Sequence, residues 1–173
     1  MLDDEALMRA LNSTPVTDGR ARDLWRDDRV VDGWAREHSG SGTGGDEERR
    51  WLRAARDALQ AAETGTAVET GAAAEPRLRE VLAGVRKVPR PGAAGLTWHL
   101  EVEPERRLAV ELVLAWADVK ERMPGRLRPC ANPECRLFLL DRSRANTARW
   151  CSMKTCGNRL KARRHQARTR ETP

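Results

Sequence analysis

The sequence predicts an α+β fold that is mostly α-helical: a helical N-terminal body with a small sheet element, then a small cysteine-rich module that ends in a basic helix. Three observations support this prediction. Apolar residues recur at helical spacing through the body, and a single segment alternates with the period of a strand. All four cysteines of the 173-residue chain lie in its last third. The residues after the last cysteine are rich in arginine and poor in apolar side chains.

Most of the body is predicted to be helical from its apolar stripes. In chain order the segments are residues 3–11, short pieces around 24–25 and 30–34, then 46–63, 75–87 and a long helix from Pro104 to near Gly125. The helix over 46–63 has Asp46 as a suitable N-cap and Gly65 as a suitable stop. Pro104 stands at the first position of its helix, where proline is tolerated.

One strand is predicted in the body, over residues 96–102, where apolar and polar residues alternate. A strand needs a partner, and Lys87-Val88 is the candidate. Because the chain has one Phe and no Tyr, most aromatic packing must come from tryptophans. The tryptophans expected in the core are Trp25, Trp34, Trp51, Trp98 and Trp116.

Charge is distributed unevenly along the chain. From Arg128 onward there are 12 Lys or Arg and 3 Asp or Glu, a balance of +9. Subtracting these from the totals of 32 and 26 leaves 20 basic and 23 acidic residues before Arg128, a balance of −3. A mildly acidic body with a strongly basic tail is typical of a protein whose tail binds nucleic acid.

The chain has neither a membrane-span pattern nor a secretory signal. No apolar stretch approaches the roughly 20 residues of a transmembrane helix, and the N-terminus is acidic without a hydrophobic run. We therefore expect a cytoplasmic protein that does not contact membranes. Thiols stay reduced in the cytoplasm, which favours metal binding over disulfides.

The four cysteines form two C-x4-C pairs separated by fifteen residues, Cys130 with Cys135 and Cys151 with Cys156. Four thiolates supply a closed tetrahedral site, so we expect one structural Zn²⁺ with no open position for catalysis. Ser152 is a suitable N-cap for a helix that carries the fourth ligand. Residues 136–141 look like a strand, which we expect to form a hairpin with the approach to Trp150.

The basic residues around and after the second pair are predicted to bind nucleic acid, because their charges repel one another until phosphates lie alongside. The predicted contacts are Arg144, Arg149, Arg159, Lys161, Arg163, Arg164 and Arg168. For Arg159, an ion pair with Asp141 is an equal alternative. DNA is the favoured partner. RNA or the ribosome, an acidic protein partner, a solvated basic terminus and a thiol redox switch stay open.

The last 45 or so residues closely resemble the CGNR zinc finger. The resemblance is carried by Arg149-Trp150-Cys151-Ser152-Met153, by Cys156-Gly157-Asn158-Arg159 with Lys161, and by a D-x-S-R element at Asp141, Ser143 and Arg144. It implies a small treble-like zinc finger over residues 127–170 and a DNA-binding transcription regulator.

Such fingers commonly follow a domain called ABATE, described as a stress-induced transcription regulator. In residues 1–126, Leu11-Asn12-Ser13 and Arg56-Asp57-Ala58-Leu59 resemble two of its elements. The resemblance implies a body that senses a signal or mediates dimerisation.

We also expect that Cys151→Ser unfolds residues 128–170 and spares the helices of the body.

No catalytic constellation is visible, and we expect that the chain is not an enzyme. Its three histidines lie far apart, and no Gly-rich segment ends in the Gly-Lys-Ser/Thr of a phosphate-binding loop.

Asn12 and Arg56 are polar residues near predicted apolar faces and are candidates for binding a small-molecule effector, with structural hydrogen bonding as the alternative. A homodimer is a further candidate assembly.

Overall fold

The protein is described by a computed structural model that covers residues 2–17, 19–39, 44–65, 74–93 and 95–162. The helices are α1 (Asp4–Leu11), α2 (Asp28–Ser39), α3 (Asp46–Thr64), α4 (Ala74–Val81) and α5 (Pro104–Arg122), with a 3₁₀ turn at Leu24–Arg26. The strands are β1 (Val16–Thr17), β2 (Arg20–Ala21), β3 (Arg86–Gly92), β4 (Gly95–Glu101), β5 (Leu127–Pro129) and β6 (Phe138–Leu140). The predicted fold class, α+β and mostly helical, is confirmed.

The core lies between the two longest helices, α3 and α5, with α1, α2 and α4 packed around them. Their apolar stripes at helical spacing meet there, which is why these segments fold as helices. The largest apolar side chains that are fully buried are Leu7, Leu11, Trp25, Val31, Leu52, Leu59, Val81, Leu108, Leu112, Val110 and Val119. None of the described helices has the length and apolar character needed to cross a membrane.

Helix α3 ends at the predicted residue but begins with a different N-cap from the one predicted. Gly65 ends the helix in the left-handed conformation, at φ 62°, as predicted. The N-cap is Gly45 and not Asp46. Asp46 is the first helical residue, and its carboxylate accepts a hydrogen bond from Arg49 Nη1 at 2.7 Å. An acidic side chain in this first turn also interacts favourably with the helix dipole.

The helix predicted over residues 75–87 is shorter in the structure, because α4 ends at Val81. Gly84 then adopts φ 69°, a left-handed conformation that reverses the chain direction and that glycine adopts without strain. The chain continues directly into β3, whose antiparallel pairing with β4 confirms the predicted strand and its predicted partner.

The tryptophans do not all pack as predicted. Trp25 and Trp34 are buried, and Trp51 and Trp116 pack against the core while half-buried. Trp98 is 57% exposed, so its assignment to the core was wrong. The reason is that β3 and β4 form a two-stranded hairpin whose tip extends beyond the helices.

The β5–β6 hairpin joins the cysteine-rich module to the body. Leu127 on β5 and Phe138 on β6 are both buried in the same hydrophobic cluster as the helices. The Asn12 side chain, just after α1, accepts a hydrogen bond from Phe138 N–H at 2.7 Å and donates one to its carbonyl at 3.2 Å. The core therefore continues across the predicted boundary at residue 126.

Candidate metal centre

The first cysteine pair lies in a tight turn between β5 and β6. Cys130 follows β5 directly, and its N–H donates to the Leu137 carbonyl at 2.8 Å. Asn132 shapes the turn, since its carbonyl accepts from Cys135 N–H at 2.8 Å and its side-chain oxygen accepts from Glu134 N–H at 3.2 Å. This turn brings the thiols of Cys130 and Cys135 to the same side of the hairpin.

The second cysteine pair is held beside the first by the backbone. Ala131 N–H donates to the Arg149 carbonyl at 2.8 Å, which places Trp150 and Cys151 next to the first turn. Ser152 then caps a π-helical turn, Met153–Gly157, by accepting from Thr155 N–H at 3.4 Å, and the chain continues as α-helix over residues 158–162. The predicted cap is confirmed, and Cys156 lies within this turn.

The four sulfur atoms lie at the spacing of a tetrahedral metal site. All four Sγ atoms are within 4.8 Å of one another, with Cys135–Cys151 at 3.6 Å and Cys151–Cys156 at 3.7 Å. A tetrahedron with Zn–S bonds of about 2.3 Å has sulfur–sulfur edges of about 3.8 Å. The four cysteines are therefore positioned to hold one structural Zn²⁺, and the predicted cofactor is confirmed.

Three N–H groups donate hydrogen bonds to the sulfurs and so favour thiolates. Leu137 N–H donates to Cys135 Sγ at 3.4 Å, and Cys151 N–H donates to Cys130 Sγ at 3.5 Å. The third donor is the side-chain amide of Asn132, which is 3.5 Å from Cys156 Sγ and 1% exposed. Sequence reasoning missed Asn132; its position between two ligands, in a turn before Pro133, was the available signal.

Two of the four thiols, those of Cys135 and Cys151, do not ionise easily without a cation. Burial raises the pKa of the Cys135 thiol to about 11, and burial also raises the pKa of Cys151. Burial acts in the same direction on Cys156, but hydrogen bonds from Asn132 and the other cysteines lower its pKa overall. A divalent metal offsets the cost of gathering thiolates, so metal binding releases protons and weakens as pH falls.

One prediction about the strands around this site is wrong, and one of the two alternatives for Arg159 is not found. β6 pairs with β5, with Leu127 opposite Leu140, and not with the approach to Trp150. Asp141 pairs with Arg128, whose Nη2 lies 2.7 Å from its carboxylate, and not with Arg159. The observed partners, β5 and Arg128, lie before the first cysteine pair. The predicted pairings involved only residues after that pair, and no sequence pattern indicated the observed ones.

Asp141 organises the loop before the second cysteine pair. Its carboxylate accepts from Ser143 N–H at 2.8 Å and from Ala148 N–H at 2.7 Å. The hydrogen bonds from Ser143 hold the pKa of Asp141 at about 2, with further lowering by Ala148 and the charge of Arg128. The Asp and Ser of the D-x-S-R element thus have a structural role in this fold.

The comparison with protein families bears on the same part of the chain. Residues 126–169 match the CGNR zinc finger family. In the CGNR signature, Cys156 is one of the four clustered thiols and Gly157 is buried behind it. The Asn158 side chain donates to the Lys154 carbonyl at 3.5 Å, which braces the turn through the backbone. Arg159 is exposed.

No curated protein matches the chain. The CGNR match begins at residue 126, so the ABATE-like resemblance of residues 1–126 stays a prediction.

The predicted nucleic-acid contacts are only partly described. Arg144, Arg149, Arg159 and Lys161 are exposed, and the Arg149 guanidinium lies 5.4 Å from the Trp150 ring centroid. Arg163, Arg164 and Arg168 lie outside the described residues.

The two candidate effector-binding residues have different surroundings. The Asn12 side chain is hydrogen-bonded to the backbone of Phe138 and borders a cleft of about 460 Å³ between α1 and β6. Arg56 is 1% exposed and donates to both carboxylate oxygens of Asp23 at 2.9 Å and to Ser13 Oγ at 2.6 Å. Both side chains make the structural hydrogen bonds of the alternative interpretation, and effector binding stays a prediction.

Proposed function

We propose that this protein is a zinc-dependent, DNA-binding transcriptional regulator. In this proposal the zinc finger presents exposed cations to the phosphate backbone, and the helical body senses a signal or mediates dimerisation. The observation that carries the proposal is the set of finger cations that have no acidic partner among the described residues.

Some basic residues near the finger already have partners within the protein. Arg128 is paired with Asp141, and Arg142 lies 3.0 Å from the Asp4 carboxylate on α1. Arg126 donates to the carbonyls of Asp141 and Ser143. These side chains stabilise the fold and are not available as the main contacts to an external anion.

A second set of cations is exposed and has no ion pair with any carboxylate in the described part of the chain. Its members are Arg136, Arg144, Arg149, Lys154, Arg159 and Lys161. Unpaired like charges gathered on a small module repel one another, and phosphates relieve that repulsion while releasing counterions. A nucleic-acid backbone therefore suits this surface better than an apolar or a cationic partner.

Zinc dependence follows from where these cations stand in the chain. Arg149 and Lys154 flank the ligand Cys151, and Arg159 follows the ligand Cys156 by three residues. The backbone around them is held by the metal site and by few apolar side chains, so removing the metal would release the cations from their fixed positions around it.

A duplex-binding titration tests the proposal. Zinc-loaded protein is titrated against random-sequence duplex DNA at several salt concentrations, with RNA as a competitor. We expect affinity that falls steeply with salt and is lost on chelation. Arg144→Ala/Arg149→Ala should reduce the salt slope by roughly two, since each phosphate that a cation neutralises contributes about 0.9 to the slope.

The matched control is Arg50→Ala/Arg79→Ala, which removes two exposed arginines from the body. This control should leave the slope unchanged. An equal decrease in both double variants would assign binding to net charge alone, and RNA displacing DNA at equal concentration would make RNA the partner. Absence of binding by protein that holds one zinc per chain would overturn the proposal in favour of an acidic protein partner.

The regulatory part of the proposal requires sequence preference. Selection from a random duplex pool should enrich a common site, which specific binders prefer by about a thousandfold or more over other DNA. A pool that stays random after selection would reduce the proposal to non-specific DNA binding.

A further inference from the structure

The β3–β4 hairpin exposes one apolar face. In an antiparallel pair, opposite residues project to the same side of the sheet. One side of this hairpin carries Lys87 opposite Leu100, Pro89 opposite Trp98 and Pro91 opposite Leu96. Leu100 packs against the core, whereas Leu96 is 65% exposed and Trp98 is 57% exposed. The root of the hairpin is thus anchored and its apolar tip lies in solvent.

The two edges of the hairpin differ in their ability to accept another strand. Proline has no N–H, so Pro89 and Pro91 fit within β3 only where the backbone N–H would point away from β4. The outer edge of β3 therefore lacks donors at both positions. Prolines at such positions are a known means of preventing strand addition.

The outer edge of β4 is open at Leu96 and Trp98. Trp98 and Leu96 lie opposite the two prolines, so their own N–H and C=O groups also point away from the hairpin. On the same edge the Leu100 carbonyl accepts from Arg107 Nη2 at 3.1 Å. Among the described residues nothing hydrogen-bonds to this edge at Leu96 or Trp98.

We propose that β4 pairs antiparallel with β4 of a second copy of this chain and forms a four-stranded sheet across a two-fold axis. Centred on Trp98, this register places Leu96 opposite Leu100 of the second copy and Thr97 opposite its His99. Gly95 then lies opposite Glu101, so no like charges face each other. The open N–H and C=O groups of Leu96 and Trp98 are then paired, with the Leu100 carbonyl accepting a second hydrogen bond beside the one from Arg107, and the two apolar faces become one.

Because this register is self-complementary, it favours a second copy of the chain as the partner. A two-fold contact uses the same patch on both subunits, and each hydrogen bond and apolar pair is repeated by symmetry. Nucleic acid is the main rival, because Lys87 Nζ lies 5.7 Å from the Trp98 ring centroid. The prolines and leucines around that tryptophan, and Glu101 at its root, favour a protein surface. The inference does not rest on DNA binding by the finger.

A contact limited to one strand edge and the side chains beside it should be smaller than a standard interface of about 800 Å² per partner, so we expect a dissociation constant in the range of roughly 1–100 µM. Sedimentation velocity of the full-length, zinc-loaded protein without nucleic acid, from about 1 to about 500 µM, should therefore show a monomer converting to a dimer.

Two variants test the surface in different ways. Leu96→Pro copies the proline opposite it, removing an outward N–H while keeping the β3–β4 ladder. Trp98→Lys keeps the backbone and places a charge at the two-fold axis. Each should raise the dissociation constant by at least about tenfold, as expected for the loss of a central aromatic or of edge hydrogen bonds. The control, His99→Lys, adds the same charge to the polar face of β4 and should dimerise like the wild type.

Three outcomes would overturn the proposal. The first is a wild type that sediments as a monomer at every concentration. The second is dimerisation of both variants as in the wild type, which would place any dimer contact elsewhere. The third is a monomeric protein whose DNA affinity falls with Trp98→Lys, which would assign the hairpin to nucleic acid. Since dimerisation is measured without DNA, a failed duplex titration would leave this result unaffected.

Discussion

Gly157 lies where a side chain meets its neighbours. A Cβ atom built at this position is 2.8 Å from Met153 Sδ and 3.2 Å from Trp150 Cδ1. Its φ is not in the left-handed region, so the requirement for glycine here is steric and not conformational. Because Gly157 follows the ligand Cys156 directly, crowding at this residue acts on the metal site.

We predict that Gly157→Ala weakens zinc binding and destabilises the finger by about 1–2 kcal/mol, the typical cost of an added methyl in a packed site. Met153 is 52% exposed and can be shortened without leaving a buried cavity. The double variant Gly157→Ala/Met153→Ala should therefore recover part of the lost affinity, measured by competition with a chromophoric chelator. No recovery would assign the requirement to the contact with Trp150.

Helix α3 fastens the irregular segment between α1 and α2 to the core. Gln60 Nε2 donates to the Leu11 carbonyl at 2.7 Å and to Thr14 Oγ1 at 2.9 Å. One turn earlier, Arg56 binds Asp23 and Ser13, and its guanidinium also lies 5.2 Å from the Trp25 ring centroid. Within the segment only the short β1–β2 pairing and a 3₁₀ turn order the backbone, and the side chains of α3 hold it against the core.

The Arg56–Asp23 pair gives the body a pH-dependent contribution to stability. Burial of Asp23 acts to raise its pKa, but the hydrogen bonds and charge of Arg56 outweigh it and hold the pKa below 3.8. A carboxylate with a lowered folded-state pKa stabilises the fold at higher pH, and this contribution is lost as pH falls below about 4.

We predict that Arg56→Met destabilises the protein by about 3 kcal/mol at pH 6, near the lower end for breaking a buried pair, because Asp23 is partly exposed. The difference in urea midpoint between wild type and variant should shrink between about pH 4 and pH 2. Zinc loss at low pH affects both proteins equally and cancels in that difference. Arg50→Met, exposed on the same helix, should track the wild type; a constant difference for Arg56→Met would show that Asp23 is not its partner.

The finger and the body share one hydrophobic core. Leu127 and Phe138, on the hairpin that holds the first cysteine pair, are 3% exposed among the side chains of the helices. Asn12 fixes Phe138 through both of its backbone hydrogen-bonding groups, and Asp4 on α1 binds Arg122 and Arg142. Loss of the metal site therefore disturbs packing in the body as well.

We therefore predict, in place of the expectation from sequence, that Cys151→Ser or chelation lowers the melting temperature of the body's helical signal. A coupling of about 2 kcal/mol corresponds to a shift of about 4–8 °C for a protein of this size. Far-UV circular dichroism during thermal unfolding, with and without chelator, measures it. Ser152→Ala, which changes the cap but no ligand, is the control; an unchanged helical transition in Cys151→Ser would show that the body folds independently.

Local patterns in the sequence were sufficient for the helices, the β3–β4 hairpin and the metal ligands. Apolar periodicity reports which face of a segment is buried, and paired cysteines report a ligand set whatever the rest of the fold is. The errors at Asp46 and after Val81 concern the ends of helices, where glycines decided the geometry. Whether a segment forms a helix or a strand was predictable because this depends on residues that are close together in the sequence.

Partners across the chain were decided only by the tertiary structure. The hydrogen bonds between Asn12 and Phe138 join residues 126 positions apart, and no local pattern specifies them. No local pattern specifies the exposure of Trp98 either, because one face of an alternating strand is buried only where another element covers it. Asp141 likewise forms its ion pair with Arg128 because the β5–β6 pairing brings the two residues together. Spacing along a chain encodes local geometry, whereas long-range contacts depend on how the completed elements pack.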